Sequence, residues 1–311
     1  MTEQSPLRLG TRASLLARTQ SSQVADALRS ALDVEVVLVE VTTEGDITSA
    51  SLSSLGGMGV FVSALRDALL RGEVDVAVHS LKDIPTYPQD GITLAAVPVR
   101  ADPRDVLVAR DGLTLGELPP GSTVGTGSLR RAAQLRALGL GLDVVDIRGN
   151  VDTRIRKVTD GELDAVVLAG AGVARLGRTD EVTEMLDPLQ MLPAPGQGAL
   201  AVECRSEDVF LADRLRDAVD DPRTRAAVTA ERTVLGDLEA GCSAPVGALA
   251  EIADGEHGDE LWIRAIALSY DGTGVVRRSA TGTPDDAVGV GRRLAAEMLA
   301  DGASTLIQER V

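Results

Sequence analysis

The sequence predicts an α/β protein with two β/α lobes, followed by a C-terminal α+β domain that contains a small antiparallel sheet. Three observations support this prediction. Strand-like and helix-like segments alternate through residues 5–97, the alternation restarts after residue 104, and hairpin turns separate the last three strand-like segments. The 311 residues, 44% of them hydrophobic, suffice for about two or three domains.

The first lobe begins with a short strand at Leu7-Arg-Leu-Gly and a helix at about 14–32, where apolar residues recur at helical spacing. A second amphipathic helix at 60–70 is closed by Gly72. The other strands are predicted at 34–41, 74–78 and 92–97. Because helical crossovers join parallel strands, we expect a largely parallel sheet that is covered on both faces.

The second lobe, at 99–194, repeats this alternation. Its strands are predicted at 105–109, 122–125, 144–147 and 165–168, and its helices near 128–138, 152–160 and 172–177. A Pro- and Gly-rich run at 192–198 ends the pattern. The apolar strand 199–203 is expected to return to the first lobe, which would then comprise 1–98 and 195–218. Two crossings would form a double hinge beside a cleft.

The C-terminal domain, at 219–311, follows a helix predicted near 206–219 and begins with one near 223–238. Asp-Gly and Gly-Asp pairs then separate strands at 246–253, 260–269 and 274–281, before a last helix at about 285–299. Hairpins between neighbouring strands indicate an antiparallel sheet.

The charge of the chain narrows the range of partners. With 31 basic and 47 acidic residues the net charge is −16, which argues against a nucleic-acid or anionic-membrane surface. No apolar run approaches the roughly 18 residues of a membrane span, and no basic segment with an apolar core indicates export. We therefore expect a cytoplasmic protein with free thiols, and no feature requires more than a monomer.

Cationic and hydroxyl side chains follow the predicted strands at the points where they end. In the first lobe these are Arg12, Ser14 and Lys82, with Asp83 beside them. In the second lobe they are Thr126, Ser128, Arg130, Arg131, Arg148 and Arg154. Because ligands collect beyond the carboxyl ends of parallel strands, we expect these side chains to converge.

Residues 121–157 carry seven basic and three acidic side chains, which in an acidic chain indicates an anionic small ligand. The pattern alone leaves open that the arginines of this segment are solvated helix positions. Likewise, Lys82 and Asp83 could transfer protons or form a plain turn salt bridge. His79 is interpreted as structural, and no metal site is predicted.

The two cysteines receive different interpretations. Cys204 lies in an apolar strand and is interpreted as a core residue. Cys242 lies in a loop of small residues and is either a nucleophile or attachment point, or a buried spectator.

Seven short runs stand in order between about residues 10 and 250. They are Gly-Thr-Arg12-Ala-Ser14, His79-Ser-Leu-Lys82-Asp83-Ile-Pro85, Asp102-Pro-Arg-Asp105, Val124-Gly-Thr-Gly-Ser-Leu-Arg130-Arg131, Arg148-Gly-Asn-Val-Asp-Thr-Arg154, Leu192-Pro-Ala-Pro-Gly-Gln197-Gly198, and Gly241-Cys242 with Pro245. Each run alone is weakly specific. As an ordered set they resemble the hydroxymethylbilane synthase family, also called porphobilinogen deaminase.

This resemblance implies lobes similar to those of periplasmic binding proteins, and a third domain that presents a thiol to the cleft. It implies that four porphobilinogen molecules are condensed head to tail with release of ammonia, and that hydrolysis then frees a linear tetrapyrrole. Acetate and propionate groups on the growing oligopyrrole would explain the arginines. No metal, nucleotide or separate redox group is implied.

The resemblance also implies roles for individual residues. Asp83 would be the catalytic carboxylate, which stabilises the azafulvenium cation left by loss of ammonia. Cys242 would carry a dipyrromethane cofactor through a thioether. Cofactor binding would fall to Lys82, Ser128, Arg130, Arg131 and Arg154, and substrate binding to Arg12, Ser14, Thr126, Arg148, Arg175 and Gln197.

Four positions depart from the family pattern. Glu44, Met58 and Ser63 stand where relatives often have basic residues, and Gly127 replaces a frequent serine. The first three positions therefore supply no basic side chain for carboxylate binding. A rival hypothesis is a non-catalytic anion-binding module of the same two-lobed architecture, which would leave Asp83 and Cys242 without a role.

Overall fold

The computed structural model describes residues 5–41, 59–240, 244–256 and 258–308. The expectations for Cys242, Glu44 and Met58 therefore lie outside the described residues. The chain divides into two compact units, Met1–Ala101 with Ala199–Arg225, and Asp102–Gly198 with Ala226–Val311.

Strands and helices alternate through most of the described chain. The strands are β1 (Leu7–Thr11), β2 (Val36–Glu40), β3 (Val76–Ser80), β4 (Ile92–Ala96), β5 (Asp105–Ala109), β6 (Thr123–Gly125), β7 (Asp143–Val145), β8 (Ala165–Ala169), β9 (Glu184–Met185), β10 (Leu200–Arg205), β11 (Val246–Gly255), β12 (Gly258–Leu268) and β13 (Val275–Gly282). The helices are α1 (Leu15–Leu32), α2 (Gly59–Leu70), α3 (Leu129–Ala137), α4 (Val151–Thr159), α5 (Gly170–Arg175), α6 (Val209–Val219), α7 (Pro222–Asp237), α8 (Ala287–Ala300) and α9 (Ala303–Gln308).

The first unit contains a five-stranded sheet of order β2-β1-β3-β10-β4. Leu9 of β1 and Val202 of β10 share a buried core with Leu28 of α1 and Leu215 of α6. The predicted return of the strand after residue 198 is confirmed, because β10 lies between β3 and β4 in this sheet.

The second unit contains a sheet of order β7-β6-β8-β5-β9, with apolar clusters on both faces. It also contains the antiparallel sheet β11-β12-β13, whose core includes Val234 of α7 and Leu294 of α8. On the opposite face, Ile266 packs with Ala133 of α3 and with Leu192. The predicted class, two α/β lobes and a small antiparallel C-terminal sheet, is confirmed.

The two larger sheets are mixed rather than largely parallel as expected. Among the described strands, β10 runs antiparallel to β3 and β4, and β5 runs antiparallel to β8 and β9. Each is the strand that follows a passage of the chain from one unit to the other. Such a strand enters its sheet at the carboxyl ends of the parallel strands, so its first residues lie at the edge where ligands bind.

Candidate functional site

The predicted residues of the first unit lie at one edge of its sheet. β1 and β3 are parallel neighbours, so the residues that follow them share this edge. Arg12 and Ser14 follow β1, and the Ser14 Oγ caps α1 by accepting a hydrogen bond from the Ala17 N–H at 3.3 Å. Lys82 and Asp83 belong to a 3-10 turn, Leu81–Asp83, directly after β3.

This turn is anchored by its apolar residues. Leu81 is fully buried and donates its N–H to the Ala199 carbonyl at 3.0 Å, and Ile84 donates to the Leu81 carbonyl at 3.2 Å. Asp83 is half-buried. No hydrogen bond or ion pair within the described residues holds its carboxylate, so the alternative of a turn salt bridge with Lys82 is not what the structure shows.

A buried ionic cluster fixes β3 just before this turn. Arg66 of α2 donates to Glu203 of β10 from Nε at 2.9 Å and from Nη2 at 2.6 Å, and the His79 Nε2 atom lies 3.4 Å from Glu203. Burial raises the pKa of Glu203, but the hydrogen bonds from Arg66 and the proximity of His79 lower it further, to about 2. His79 is buried beside this ion pair, which agrees with a structural position, although its Nε2 has no hydrogen-bond partner among the described residues.

The second unit presents its predicted residues where β6 ends and α3 begins. The Thr126 Oγ1 accepts a hydrogen bond from the Ser128 N–H at 3.2 Å, and the Ser128 Oγ caps α3 by accepting one from the Arg131 N–H at 3.5 Å. Arg130 and Arg131 occupy the first turn of α3 and are only 4% and 5% exposed. The interpretation of these two arginines as solvated helix positions is therefore wrong.

Asp105, the first residue of β5, binds both arginines. Its carboxylate accepts hydrogen bonds from the Arg130 Nη2 at 2.8 Å, the Arg131 Nη2 at 2.7 Å and the Gln197 Nε2 at 2.8 Å. Although burial alone would raise the pKa of Asp105, the charges of the two arginines hold it well below its usual range. No role for Asp105 was predicted from the sequence, although it ends the run Asp102-Pro-Arg-Asp105.

Each of the two guanidinium groups also donates to the backbone. The Arg130 Nη1 binds the Leu192 carbonyl, and the Arg131 Nη1 binds the Val167 carbonyl at 3.1 Å. The Nε atoms of both are buried and have no hydrogen-bond acceptor among the described residues. Buried donors of this kind ordinarily have partners, so these two N–H groups are available for an acceptor that the described residues do not supply.

Arg154 extends the cationic cluster from α4. Its Nε donates to the Gly149 carbonyl at 2.8 Å. Burial, together with the charges of Arg131 and Arg148, lowers the pKa of Arg154 to about 10, against the opposing charge of Asp146. Repulsion between like charges of this kind favours an anion bound beside Arg154.

The two remaining predicted residues lie near the second passage of the chain between units. Arg175, at the end of α5, donates from Nη2 to the Gly198 carbonyl at 2.9 Å, and burial lowers its pKa. The Gln197 side chain donates to the Pro103 carbonyl at 2.7 Å as well as to Asp105.

Gly127 has a packing reason in this chain. A Cβ atom there would lie 2.7 Å from the Ile147 carbonyl oxygen and 3.5 Å from the Arg154 Nη2. The glycine therefore permits the backbone before α3 to approach the end of β7 and the cationic cluster closely.

The second-unit site fits a ligand that carries carboxylates, because its arginines outnumber their carboxylate partners and two buried Nε–H groups lack acceptors. In the described part of the chain, no cluster of His, Cys, Asp or Glu side chains could hold a metal ion. None of the helices described here has the length and apolarity of a membrane span.

Two family models match the chain. The model described as "Porphobilinogen deaminase, dipyromethane cofactor binding domain" matches residues 7–213, and "Porphobilinogen deaminase, C-terminal domain" matches residues 225–300. These matches cover both units and leave few residues between them.

Relatives named porphobilinogen deaminase are similar over nearly the whole chain. One from Nocardia farcinica is 57% identical, and the match spans 98% of this chain and 88% of the relative. "Porphobilinogen deaminase 1" from Streptomyces avermitilis is 59% identical, and the match spans 100% of this chain and 99% of the relative. One from Mycobacterium tuberculosis is 56% identical, and the match spans 97% of this chain and 98% of the relative. Among solved structures, the methionine binding protein MetQ is similar over 68% of this chain and 89% of its own, at 12% identity and a TM-score of 0.44.

Proposed function

Because this chain belongs to the porphobilinogen deaminase family, we propose that the two residue sets described above divide the hydroxymethylbilane synthase reaction between them. The enzyme is a transferase of tetrapyrrole biosynthesis that joins four porphobilinogen molecules head to tail, releases ammonia at each addition, and frees the linear tetrapyrrole by hydrolysis. It uses a dipyrromethane cofactor.

The arginines of the second unit bind carboxylates. The observation that carries this assignment is the pair of buried Nε–H groups of Arg130 and Arg131, which lack acceptors among the described residues. Acetate and propionate groups on pyrroles supply acceptors of the right charge. Ser128, Arg154 and Lys82 bind the cofactor with this pair, and the substrate and growing chain are bound by Arg12, Ser14, Thr126, Arg148, Arg175 and Gln197.

Asp83 acts on the reacting ring. When the amino group of the aminomethyl arm of porphobilinogen leaves as ammonia, the methylene carbon stays on the ring, and the resulting azafulvenium cation carries a positive charge that a nearby carboxylate stabilises. The Asp83 carboxylate is suited to this because no described side chain or backbone group engages it. It can also hold the pyrrole N–H proton during the step.

Cys242 attaches the cofactor through a thioether, since a thiolate is the strongest nucleophile that this part of the sequence offers. When bound, the dipyrromethane supplies the pyrrole carbon that the first substrate molecule joins.

The enzyme works in the cytoplasm as a monomer and binds no nucleic acid.

Mass spectrometry under denaturing conditions tests the attachment. We expect the purified chain to exceed its sequence mass by two pyrrole units, and Cys242→Ser to lose this excess. Cys204→Ala is the matched control, because it removes the other thiol and should keep the excess. An unmodified wild-type mass in folded protein would favour the rival anion-binding module.

Turnover of porphobilinogen tests the role of Asp83. Asp83→Ala should lower kcat by a factor of roughly 100 to 1000, the usual loss when one electrostatic stabiliser is removed. Asp90→Ala, an exposed aspartate of the same lobe, should leave turnover unchanged. Wild-type turnover in Asp83→Ala would remove this residue from the mechanism.

A further inference from the structure

Asp105 owes its position to the path of the chain. β5 enters its sheet from the edge where β8 ends, with Asp105 opposite Ala169 in the register. β6, which pairs with β8 in parallel, ends at the same edge and leads into α3. The topology therefore places a fully buried carboxylate beside the first turn of α3, where Arg130 and Arg131 lie.

The donors of the two arginines can be accounted for one by one. In each guanidinium, one terminal nitrogen binds Asp105 and the other binds a backbone carbonyl. A guanidinium has five N–H donors in a rigid plane, so two fixed terminal nitrogens fix the direction of the Nε–H as well. These Nε–H groups are the buried donors that lack acceptors among the described residues.

We infer that Asp105 is a positioning residue, which fixes both guanidinium planes so that their Nε–H groups meet the carboxylates of a bound oligopyrrole. This inference rests on the proposed function, because that function supplies the carboxylates. Asp105 also neutralises one of the two positive charges, so the pair keeps a surplus of one charge for the ligand. Gln197, the third donor to Asp105, holds the carboxylate in its orientation.

The experiment compares Asp105→Asn, which keeps the shape and removes the charge, with Asp105→Glu, which keeps the charge and displaces it. Asp164→Asn is the matched control. Asp164 is also a lobe carboxylate with an arginine partner, Arg110, but it precedes β8 and accepts the Thr123 N–H at the opposite end of β6. Intact mass gives the fraction of each purified variant that carries two pyrrole units, and steady-state kinetics gives kcat and KM for porphobilinogen.

We expect the loaded fraction of Asp105→Asn to fall at least tenfold, and its remaining loaded enzyme to be slower by roughly a hundredfold, the loss typical of a misplaced binding group. Asp105→Glu should fall between this variant and the wild type, and Asp164→Asn should load fully. A merely structural role would lower the thermal midpoint of Asp105→Asn without changing the loading of protein that is folded at 25 °C.

Full loading with wild-type kcat and KM in folded Asp105→Asn would overturn the inference about Asp105 and leave the proposed function standing. If that variant does not fold, Asp105→Glu decides the question, because it keeps both arginines and the negative charge. Partial loading of Asp105→Glu supports the inference, and full loading overturns it. Absence of the two-pyrrole excess from the wild-type chain would overturn the proposed function along with it.

Discussion

Removing the charge of Glu203 tests how the first lobe holds the strand that leads to Lys82 and Asp83. Glu203 is 2% exposed and Arg66 7%. Glu203→Gln leaves the Arg66 guanidinium buried without its anion, which costs about 3–5 kcal/mol of unfolding free energy. The pKa of Glu203, about 2 instead of 4.5, independently corresponds to about 3 kcal/mol.

The pH dependence follows from the direction of this shift. Because the pKa of Glu203 is lower in the folded chain than in the unfolded chain, the stabilisation is fully present above about pH 4.5. It is lost as the pH falls toward 2. The difference between wild type and Glu203→Gln should therefore be about 3 kcal/mol at pH 7 and smaller at pH 3.

Urea unfolding at both pH values measures this difference. Glu73→Gln is the control, because Glu73 pairs with Arg71 on the surface of the same lobe and its removal should leave the unfolding midpoint nearly unchanged. An equal loss of stability at pH 7 and pH 3 in Glu203→Gln would show that packing, and not the ion pair, causes the loss. The charge argument would then be refuted.

Two further predictions concern Gly272 and Cys204. A Cβ at Gly272 (φ +78°) would lie 2.6 Å from the Ala133 carbonyl of α3, so Gly272→Ala should speed amide exchange in α3. Gly121→Ala (φ +84°, in open space) should not, and equal exchange in both would contradict the argument. Burial raises the pKa of the Cys204 thiol to about 11, so at pH 8 only about one thiol in a thousand is ionised. Iodoacetamide should label Cys204 only after unfolding; labelling of the folded chain would show that the strand opens.

The alternation of strands and helices was predictable because each β/α unit has a local pattern: apolar residues recur at strand or helix spacing, and glycine or proline separates the elements. The direction of β5 and β10 was not, because apolar periodicity is the same in parallel and antiparallel strands. Direction depends on the edge at which the chain enters a sheet, and that is set by segments about a hundred residues apart.

The positions of the candidate residues were predictable where they follow strand ends, as Arg12 and Asp83 do. Their partners were not, because Asp105 and Arg130 are 25 residues apart and Arg66 and Glu203 are 137 apart. A hint was present in the sequence. Glu203 ends an otherwise apolar predicted strand, 199–203, and a buried charge there requires a partner of opposite sign. Local pattern does not identify that partner.

The position of β10 has a consequence for the order in which the protein can be completed during synthesis. β4 pairs with β10 and, in the described sheet, with no other strand. About a hundred residues separate the two, and a ribosome needs roughly 5–20 s to add them. Through that interval β3 exposes an unpaired edge, to which another chain could add. The nascent polypeptide must therefore keep this open edge from pairing with other chains until its later part emerges.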